Sequence, residues 1–260
     1  MSSCIHRLFG ISIWDETLKD ATRAILEAAQ SGERRTVYFV NAHCINVAVR
    51  NPDYLDALKK VDRAYADGSG LAIAARLAGS PLRDNVNGTD MFPLLCEYAA
   101  RENIPIALLG AKPGIAVRCA ENMKARFQGL QFSFVEHGYF DRSEEAEMIQ
   151  RLNASGAKIL LVAFGVPFQE LWIQRNAAIL KAPVLLAVGG LFDFYSGLRV
   201  RAPLLLRKTG FEWVYRLAQE PMRMFVRYVI GNPLYLSRIF FLRLKGKKYL
   251  MESIFYSNKS

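Results

Sequence analysis

Hydrophobic and polar positions divide the chain into short apolar runs and longer amphipathic stretches. The runs at 159–164 and 184–188 contain no polar side chain, which is typical of strands buried on both faces of a sheet. The amphipathic stretches between the runs have the length and periodicity of helices. This alternation predicts an α/β fold with a mostly parallel, Rossmann-like sheet flanked by helices. Strands are predicted at 36–40, 64–66, 104–109, 132–136, 158–164 and 183–188, and helices at 52–61, 113–127, 143–153 and 167–180.

After Gly197 the pattern changes to helical segments in which arginines alternate with aromatic residues. Proline and glycine positions predict breaks in this region, at Pro221 and at the sequence Gly231-Asn-Pro233. The sequence therefore predicts an α/β part, residues 1–198, followed by a basic helical C-terminal appendage, residues 199–260. Its helices are predicted at 211–219, 222–230 and 234–244.

The charge balance separates these two parts further. The chain of 260 residues has 34 basic and 24 acidic side chains, for a net charge of +10. Twelve basic and only two acidic residues lie between Arg199 and Lys248, so the appendage holds the whole surplus. Basic amphipathic helices of this kind bind anionic membrane surfaces. Since bulky apolar residues alternate with the arginines, we expect a membrane partner and no nucleic acid; solvated surface helices are the open alternative.

Several absences exclude classes of protein and of site. The apolar fraction of 52% excludes a disordered chain. The four cysteines include no C-x-x-C pair, and the sequence has no P-loop, no G-x-G-x-x-G and no Asp-x-Asp metal clamp. We therefore expect no cofactor and no metal. The N-terminus lacks a signal peptide, and no apolar run reaches the roughly 18 residues of a spanning helix. We expect a cytoplasmic protein, peripheral on the inner face of the cell membrane.

Polar side chains follow the predicted strands where the chain leaves the sheet. In an open parallel sheet these strand ends converge on one crevice, so residues there are candidates for a site. Some of them have simpler roles open to them: Asn41, Asp67 and Asp193 as turn residues, and Gln169 as a helix cap. The candidates are Asn41 and His43 after 36–40, Asp67 after 64–66, Gln169 and Glu170 after 158–164, and Asp193 after 183–188.

Eight segments in order along the chain resemble the motifs of a known family, the WecG/TagA/CpsF family of bacterial glycosyltransferases. The resemblance covers residues 36–227, and the order of so many motifs makes coincidence improbable. The segments are Phe39-Val-Asn41, Asp67-Gly68, Gly88-Thr-Asp90, His137-Gly-Tyr-Phe140, Gly165-Val-Pro-Phe-Gln-Glu170, Val188-Gly-Gly-Leu-Phe-Asp193, Arg201-Ala-Pro203 and Gly210-Phe-Glu-Trp-Val-Tyr-Arg-Leu-Ala-Gln-Glu-Pro-Met-Arg223.

The resemblance implies an inverting, metal-independent hexosyltransferase of cell-surface polysaccharide biosynthesis. Such an enzyme moves a sugar from a UDP-sugar donor onto a lipid acceptor, a polyprenyl-diphosphate-linked sugar, at the cytoplasmic membrane face. Asp67 matches the family's proposed base, which must take the acceptor hydroxyl proton. The resemblance makes residues 1–198 the catalytic domain, with residues 199–260 completing the site and contacting the membrane. A homo-oligomer is a possible assembly.

Further substrate contacts are expected from polar and basic side chains. Asn41 is a hydrogen-bond partner for substrate, Gln169 and Glu170 are candidates for sugar or uracil, and Asp193 for ribose or sugar hydroxyls. Guanidinium groups bind phosphate through paired hydrogen bonds, and we expect two of the four motif arginines to contact diphosphate. The four arginines are Arg201, Arg216, Arg223 and Arg227. Those beyond Pro233 lie outside the motifs, and we expect them to serve only the membrane.

Two positions depart from the family pattern. Phe39 stands where the family has a threonine, so the donor need not be of the UDP-N-acetylmannosamine type, and we favour UDP-glucose. His43 stands where many members have an acidic residue, and its neutral form near pH 7 makes it the rival base.

Two other classes of function stay open. One is a non-catalytic protein that binds a membrane or a nucleotide sugar, and the other is a glycoside hydrolase with Asp67 and either Glu170 or Asp193 as its carboxylate pair. Release of UDP that depends on the acceptor lipid separates the transferase from both.

Overall fold

The structure, a computed structural model, describes residues 4–208, 210, 212–244 and 251–254, with the backbone alone at 204, 208, 223 and 251–254. The strands in this part of the chain are β1 (Cys4–Leu8), β2 (Ile11–Asp15), β3 (Arg35–Val40), β4 (Arg63–Ala66), β5 (Ile106–Gly110), β6 (Phe132–Glu136), β7 (Ile159–Ala163), β8 (Val184–Ala187) and β9 (Met251–Ile254).

These strands form a single sheet in the order β6-β5-β7-β8-β3-β4-β2-β1-β9. Neighbours from β6 through to β2 are parallel, while β1 is antiparallel to both β2 and β9. The predicted α/β fold with a mostly parallel sheet is confirmed. The sequence did not predict β1 and β2, in which polar residues interrupt the apolar run.

Helices connect the strands and cover both faces of the sheet. They are α1 (Leu18–Ser31), α2 (Ala42–Ala48), α3 (Pro52–Lys60), α4 (Ser69–Leu77), α5 (Gly88–Arg101), α6 (Ile115–Arg126), α7 (Glu145–Ala154), α8 (Phe168–Asn176), α9 (Leu191–Tyr195), α10 (Leu204–Lys208), α11 (Glu212–Gln219), α12 (Pro221–Met224) and α13 (Gly231–Leu244), with a π-helical segment, Phe225–Ile230, between α12 and α13.

The sheet carries an apolar layer on each face. Along β3, Tyr38 and Val40 pack with residues of α2, α3 and α8, whereas Val37 and Phe39 pack with α1 and α5. The alternation follows from the strand geometry, in which successive side chains point to opposite faces. Strands β5, β7 and β8 are buried along their whole length, which is why their sequences are apolar without alternation.

The predicted break at Gly231-Asn-Pro233 is wrong. The π-helical segment continues directly into α13, which begins at Gly231. Pro233 is the third residue of α13, so the helical segment passes through this proline. The Asn46 side chain donates to the Gly231 carbonyl at 2.7 Å, which ties this junction to α2.

Helix α13 packs into the core of the α/β part. Its residues Tyr235 and Ile239 are fully buried in the same apolar layer as α2 and α4. The Tyr235 hydroxyl donates to the Gly70 carbonyl at 3.1 Å, and Arg238 donates to Asn46 Oδ1 at 2.9 Å. None of the helices in the described ranges has the length and apolar character needed to cross a membrane.

Candidate active site

Two adjoining cavities open at the carboxyl ends of β3, β4, β7 and β8. The first, which we call the Trp213 cavity, has a volume of about 490 Å³ and is walled by α4, α11 and α13. The second, the Gly189 cavity, has a volume of about 390 Å³ and is walled by the loops after β7 and β8 and the start of α5. The residues that line both are Asn41, His43, Asp67, Gly68, Asn85, Glu212, Arg216 and Arg227.

Asp67 lies at the junction of these cavities, half-buried, directly after β4. Its backbone N–H donates to the Val40 carbonyl at 2.8 Å, and Asn41 Nδ2 donates to its Oδ2 at 3.2 Å. Gly68 follows with φ +88°, a value that disfavours residues with a Cβ. Its N–H donates to Asn85 Oδ1 at 2.6 Å. The carboxylate is therefore held in place at the point where two ligands can meet.

Asn41 caps α2 and orients Asp67 at the same time. Its Oδ1 accepts from the Cys44 N–H at 3.2 Å while its Nδ2 holds the Asp67 carboxylate. The sequence allows a turn role for Asn41; the structure shows a helix cap, and the same side chain also contributes to the site.

His43 occupies the first turn of α2 and lines both cavities. Burial, and then the positive charge of Arg227, lower its pKa to about 4. The imidazole is therefore neutral at pH 7. A base with this pKa is as weak as an ordinary carboxylic acid's conjugate base, so His43 loses the advantage that an imidazole with its usual pKa would have as a base near pH 7.

The side-chain amide of Gln169 forms hydrogen bonds to other residues of the protein. Its Oε1 accepts from the Gly165 N–H at 3.1 Å and from the Gly189 N–H at 2.9 Å, and its Nε2 donates to Glu170 Oε1 at 2.9 Å. The amide therefore links the loops after β7 and β8 on the wall of the Gly189 cavity. One N–H of the amide is left for a ligand.

Glu170 and Asp193 are not among the residues that line the two cavities. Glu170 is 1% exposed and lies behind Gln169. Asp193 forms an ion pair with Arg199 at 3.1 Å, and Arg199 also pairs with Glu220. In this geometry Asp193 anchors the first residues of the appendage.

Two arginines of the appendage share one carboxylate of the α/β part. Arg201 Nη1 lies 2.5 Å and Arg207 Nη1 3.4 Å from Asp90 Oδ1. These ion pairs hold the pKa of Asp90 below its usual range, although burial acts in the opposite direction. Asn87 Nδ2 donates to the other Asp90 oxygen at 2.7 Å. The network places Arg201 on the Gly189 cavity and Arg207 on the Trp213 cavity.

Arg216 and Arg227 line both cavities. Arg216 pairs with Glu212 at 3.2 Å and stacks on the Phe194 ring at 4.8 Å from its centroid. Arg227 lies 5.5 Å from the Tyr228 ring centroid, and no carboxylate of the described residues is within ion-pair distance of it. Arg223 belongs to α12, and its side chain lies outside the described residues.

The guanidinium groups around the cavities keep unused donors. The Nε atoms of Arg207, Arg216 and Arg227 are buried and have no hydrogen-bond partner within the described ranges. A buried donor without an acceptor is costly, so it marks a place where a ligand oxygen fits. Three such donors on one cavity wall are suited to an anion with several oxygens, such as a diphosphate.

Potential metal ligands come together elsewhere in the fold. Across the described residues the one group of three is Cys4, His6 and Asp15, whose ligand atoms lie within 4.8 Å of one another. The strand period places Cys4 and His6 on one face of β1, and Asp15 is the register partner of Cys4 on β2. Asp15 is also held by Arg83, through its backbone N–H at 2.7 Å and its guanidinium at 3.4 Å. This group lines neither cavity.

The sequence did not single out Asp90, Arg207 or Asn85 as site residues. Asp90 belongs to the family segment Gly88-Thr-Asp90 and Arg207 to the basic C-terminal region, so the sequence contained a reason to consider both. No sequence pattern points to Asn85, because only the fold brings it to Gly68. The segment Gly88–Asp90 contributes to the cavity wall, whereas His137 lines neither cavity.

A family model supplies the decisive comparison. The model of the glycosyl transferase WecG/TagA/CpsF family matches residues 6–249 of the chain. The chain belongs to this family. The resemblance found in the sequence motifs is confirmed, and the protein is a glycosyltransferase.

One curated relative of this glycosyltransferase is an enzyme of Bacillus spizizenii. It is named N-acetylglucosaminyldiphosphoundecaprenol N-acetyl-beta-D-mannosaminyltransferase, and it is 29% identical over 192 residues. The match covers 74% of this chain and 73% of the relative. Seven of the eight family segments quoted from the sequence contribute residues to the two cavities or, through Asp90 and Arg201, to the ion pairs beside them.

Proposed function

We propose that the protein transfers a hexose from a UDP-sugar to a polyprenyl-diphosphate-linked sugar, with inversion and without a metal ion, in cell-surface polysaccharide biosynthesis. The observation that carries this proposal is the place of Asp67, a carboxylate between two cavities whose walls hold arginine donors without partners among the described residues. The printed name of the Bacillus spizizenii relative supports the acceptor class, because it contains a diphosphoundecaprenol-linked sugar.

The Gly189 cavity is proposed as the donor site. Its wall contains the backbone of Gly165, Gly189 and Gly190, which allows close approach of a polar ligand, and it reaches Arg201, Arg216 and Arg227. Among these arginines Arg227 has no carboxylate partner in the described ranges, so its charge is free to neutralise the departing diphosphate. Arg216 is the second candidate for this contact.

The Trp213 cavity is proposed as the acceptor site. It combines Arg207 with the apolar residues Ile73, Trp213 and Leu236. Ile73 and Leu236 are exposed, and Leu236 lies on the same helix as the exposed Phe240 and Phe241. A sugar diphosphate fits the polar end of this cavity, and its lipid chain can follow the apolar side of α13.

In the reaction, the acceptor hydroxyl oxygen attacks the anomeric carbon from the side opposite UDP. The new C–O bond forms as the bond to the UDP oxygen breaks, and UDP leaves with the bonding electron pair. The acceptor proton passes to the Asp67 carboxylate, which acts as general base. The arginines stabilise the negative charge that develops on UDP, the role that a metal ion has in other transferases.

The donor sugar is proposed to be glucose or a sugar of the N-acetylmannosamine type. Phe39 lines the Gly189 cavity and packs against Gly88, where a Cβ would lie 3.2 Å from the ring. This apolar side chain offers no hydrogen bond to a sugar substituent, so we favour UDP-glucose.

We further propose that residues 1–198 are the catalytic domain and carry the base, while residues 199–260 complete both substrate sites and contact the inner face of the cell membrane. The ion pairs of Arg201 and Arg207 with Asp90 support this division of roles.

The test is purified protein with a panel of UDP-sugars and short-chain polyprenyl-diphosphate sugars, with the product mass recorded. We expect UDP release only when donor and acceptor are both present, and the same turnover with and without EDTA. Turnover that disappears with EDTA and returns with Mg²⁺ would contradict the metal-free mechanism. Binding of UDP-sugar without turnover on any acceptor would favour the binding protein, and release of free sugar would favour the hydrolase.

A further inference from the structure

Glu170 is a buried carboxyl group with no role in the reaction described above. Its Oε1 accepts from Gln169, while its Oε2 is buried and has no hydrogen-bond partner among the residues that the structure describes. Burial raises its pKa from 4.5 to about 7, more than the hydrogen bond from Gln169 lowers it. Keeping a carboxyl group charged in this buried position costs free energy. The presence of Glu170 here therefore needs an explanation.

The groups that face Glu170 are neutral acids. Tyr38 of β3 donates to the Glu170 backbone carbonyl at 3.2 Å, and Cys44 of α2 and Tyr54 of α3 are close enough to interact electrostatically with the carboxyl group. Burial raises the pKa of the Cys44 thiol to about 11 and the pKa of both tyrosines above their usual range. With no cation among them, these neighbours favour the neutral carboxylic acid.

Among the described residues, the Glu170 carboxyl group has one hydrogen-bond partner, the side chain of Gln169. A glutamine amide can rotate by 180° at little intrinsic cost, which exchanges its oxygen and its NH₂ group. In the rotated state the NH₂ group would face the N–H groups of Gly165 and Gly189, donor against donor. The acceptor oxygen of Glu170 adds to this preference, because it accepts from the NH₂ group on its own side.

We propose that Glu170 is a positioning residue that acts through the Gln169 amide to hold the loops at Gly165 and Gly189, and so fixes the shape of the Gly189 cavity. The effect on glycosyl transfer rests on the proposed function, whereas the effect on the two loops does not. Both glycines line the cavity, at the carboxyl ends of the neighbouring strands β7 and β8. Loosening them enlarges the space in which the donor must be held for in-line attack.

The protonation of Glu170 gives this proposal a pH dependence. Its pKa in the folded protein lies above the unfolded value, so the unfolded chain loses the proton first as pH rises. Stability therefore falls between about pH 4.5 and about pH 7, where only the unfolded state is ionised, and is constant above this range. Above about pH 7 the folded protein carries a buried carboxylate, which accepts more strongly from Gln169 but is costly to bury.

The experiment compares Glu170→Gln and Glu170→Ala with the parent, and uses Glu147→Gln on the exposed surface of α7 as the matched control. Hydrogen–deuterium exchange of peptides that contain Gly165 and Gly189 measures the loops directly, and kcat and KM for the UDP-sugar are measured from pH 5 to 8.5. Thermal unfolding over the same range measures stability.

We expect Glu170→Ala to exchange these two amides about tenfold faster or more, the ratio that corresponds to loss of one hydrogen-bond contact, and to lower kcat. We expect Glu170→Gln to keep parent-like exchange at pH 6 and to lack the fall in stability between pH 4.5 and 7 that the parent and Glu147→Gln show. Such rescue by the amide is not expected of a residue that is needed only for its charge.

Exchange at both glycines that matches the parent in Glu170→Ala would overturn the proposal. If Glu170→Ala does not fold, Glu170→Gln provides the test. Identical pH profiles of exchange and of stability in Glu170→Gln and in the parent would also overturn the proposal. A parent protein without turnover on any donor and acceptor would refute the proposed function alone, because the exchange and unfolding measurements need no substrate.

Discussion

Asp67 and His43 both line the two cavities and are the two candidates for the base, and their surroundings distinguish them. Asn41 orients the Asp67 carboxylate at the junction of the two cavities, whereas burial, and then Arg227, lower the pKa of His43 to about 4. A carboxylate is also attracted to the incoming hydroxyl proton by its full negative charge, which a neutral imidazole lacks. The geometry therefore favours Asp67.

We predict that Asp67→Asn lowers the turnover rate by about 10² to 10⁴, the usual effect of losing a general base. The amide keeps the shape and the contact with Asn41, so the fold and UDP binding should be almost unchanged. Steady-state kinetics and calorimetric titration with UDP provide the measurements, with Asp141→Asn on the exposed surface as control. Activity within about twofold of the parent would exclude Asp67 as the base and leave His43.

We predict that Arg227→Ala lowers kcat/KM for the donor by about 10² to 10³, comparable to loss of one donor that stabilises a developing oxyanion. Arg227→Lys should recover part of this loss, since lysine restores the charge but not the paired hydrogen bonds. The control is Arg142→Ala, at an exposed position away from both cavities. If Arg227→Ala binds UDP and turns over like this control, the diphosphate is held by other arginines.

At the scale of elements, α13 has two roles that its sequence does not separate. Tyr235 and Ile239 face the core, and Tyr235 also lines the Trp213 cavity. Phe240 and Phe241 face outward and are each more than half exposed. The expectation that residues beyond Pro233 serve only the membrane therefore has to be revised, because removing them would open the core and one cavity wall.

We predict that a chain ending at Gly231 loses turnover even on a detergent-soluble acceptor, contrary to an anchor-only role for α13.

The point variant Ile239→Ala tests the same contact more gently and should destabilise the fold by about 2–5 kcal/mol, as large-to-small changes in a core do. Chemical denaturation measures this change, with Ser237→Ala on the exposed side of α13 as control. A free energy of unfolding equal to that of the control would show that α13 is not part of the core.

At the scale of the whole molecule, charge and exposed apolar surface are concentrated at the C-terminal end. The net charge of +10 comes from residues 199–248, and the same region exposes Met222 at 90% and Phe241 at 62% of their surface. Basic side chains near an anionic bilayer contribute about 1 kcal/mol each, and inserted aromatic residues add to this. Such a surface is suited to docking the cavities against the lipid that carries the acceptor.

We predict that the double variant Phe240→Ser, Phe241→Ser binds anionic vesicles at least about tenfold more weakly, because burial of one phenyl side chain is worth about 1.5–3 kcal/mol. Turnover on a soluble acceptor should stay at the parent level, since neither side chain lines a cavity. Co-sedimentation at low and high salt separates the electrostatic part. Unchanged sedimentation of the double variant would place the membrane contact elsewhere on the protein.

The sequence determined the parallel sheet and the family. Apolar runs such as 159–164 cannot be exposed on either face, so they require a central strand, and the strand-end residues Asn41 and Asp67 then converge because parallel strands end at one edge. It also placed the surplus charge at one end. These properties depend on local pattern and on motif order, which a linear sequence contains.

Only the tertiary structure decided how individual side chains are used. Gln169 and Asp193 have the chemistry of ligand-binding groups, yet Gln169 is joined to Gly165 and Gly189, and Asp193 to Arg199. Asp90 forms an ion pair with Arg201, which lies more than a hundred residues later in the sequence. The partner of a polar group is set by which distant segments the fold brings within about 3 Å of it, and no local pattern specifies that distance.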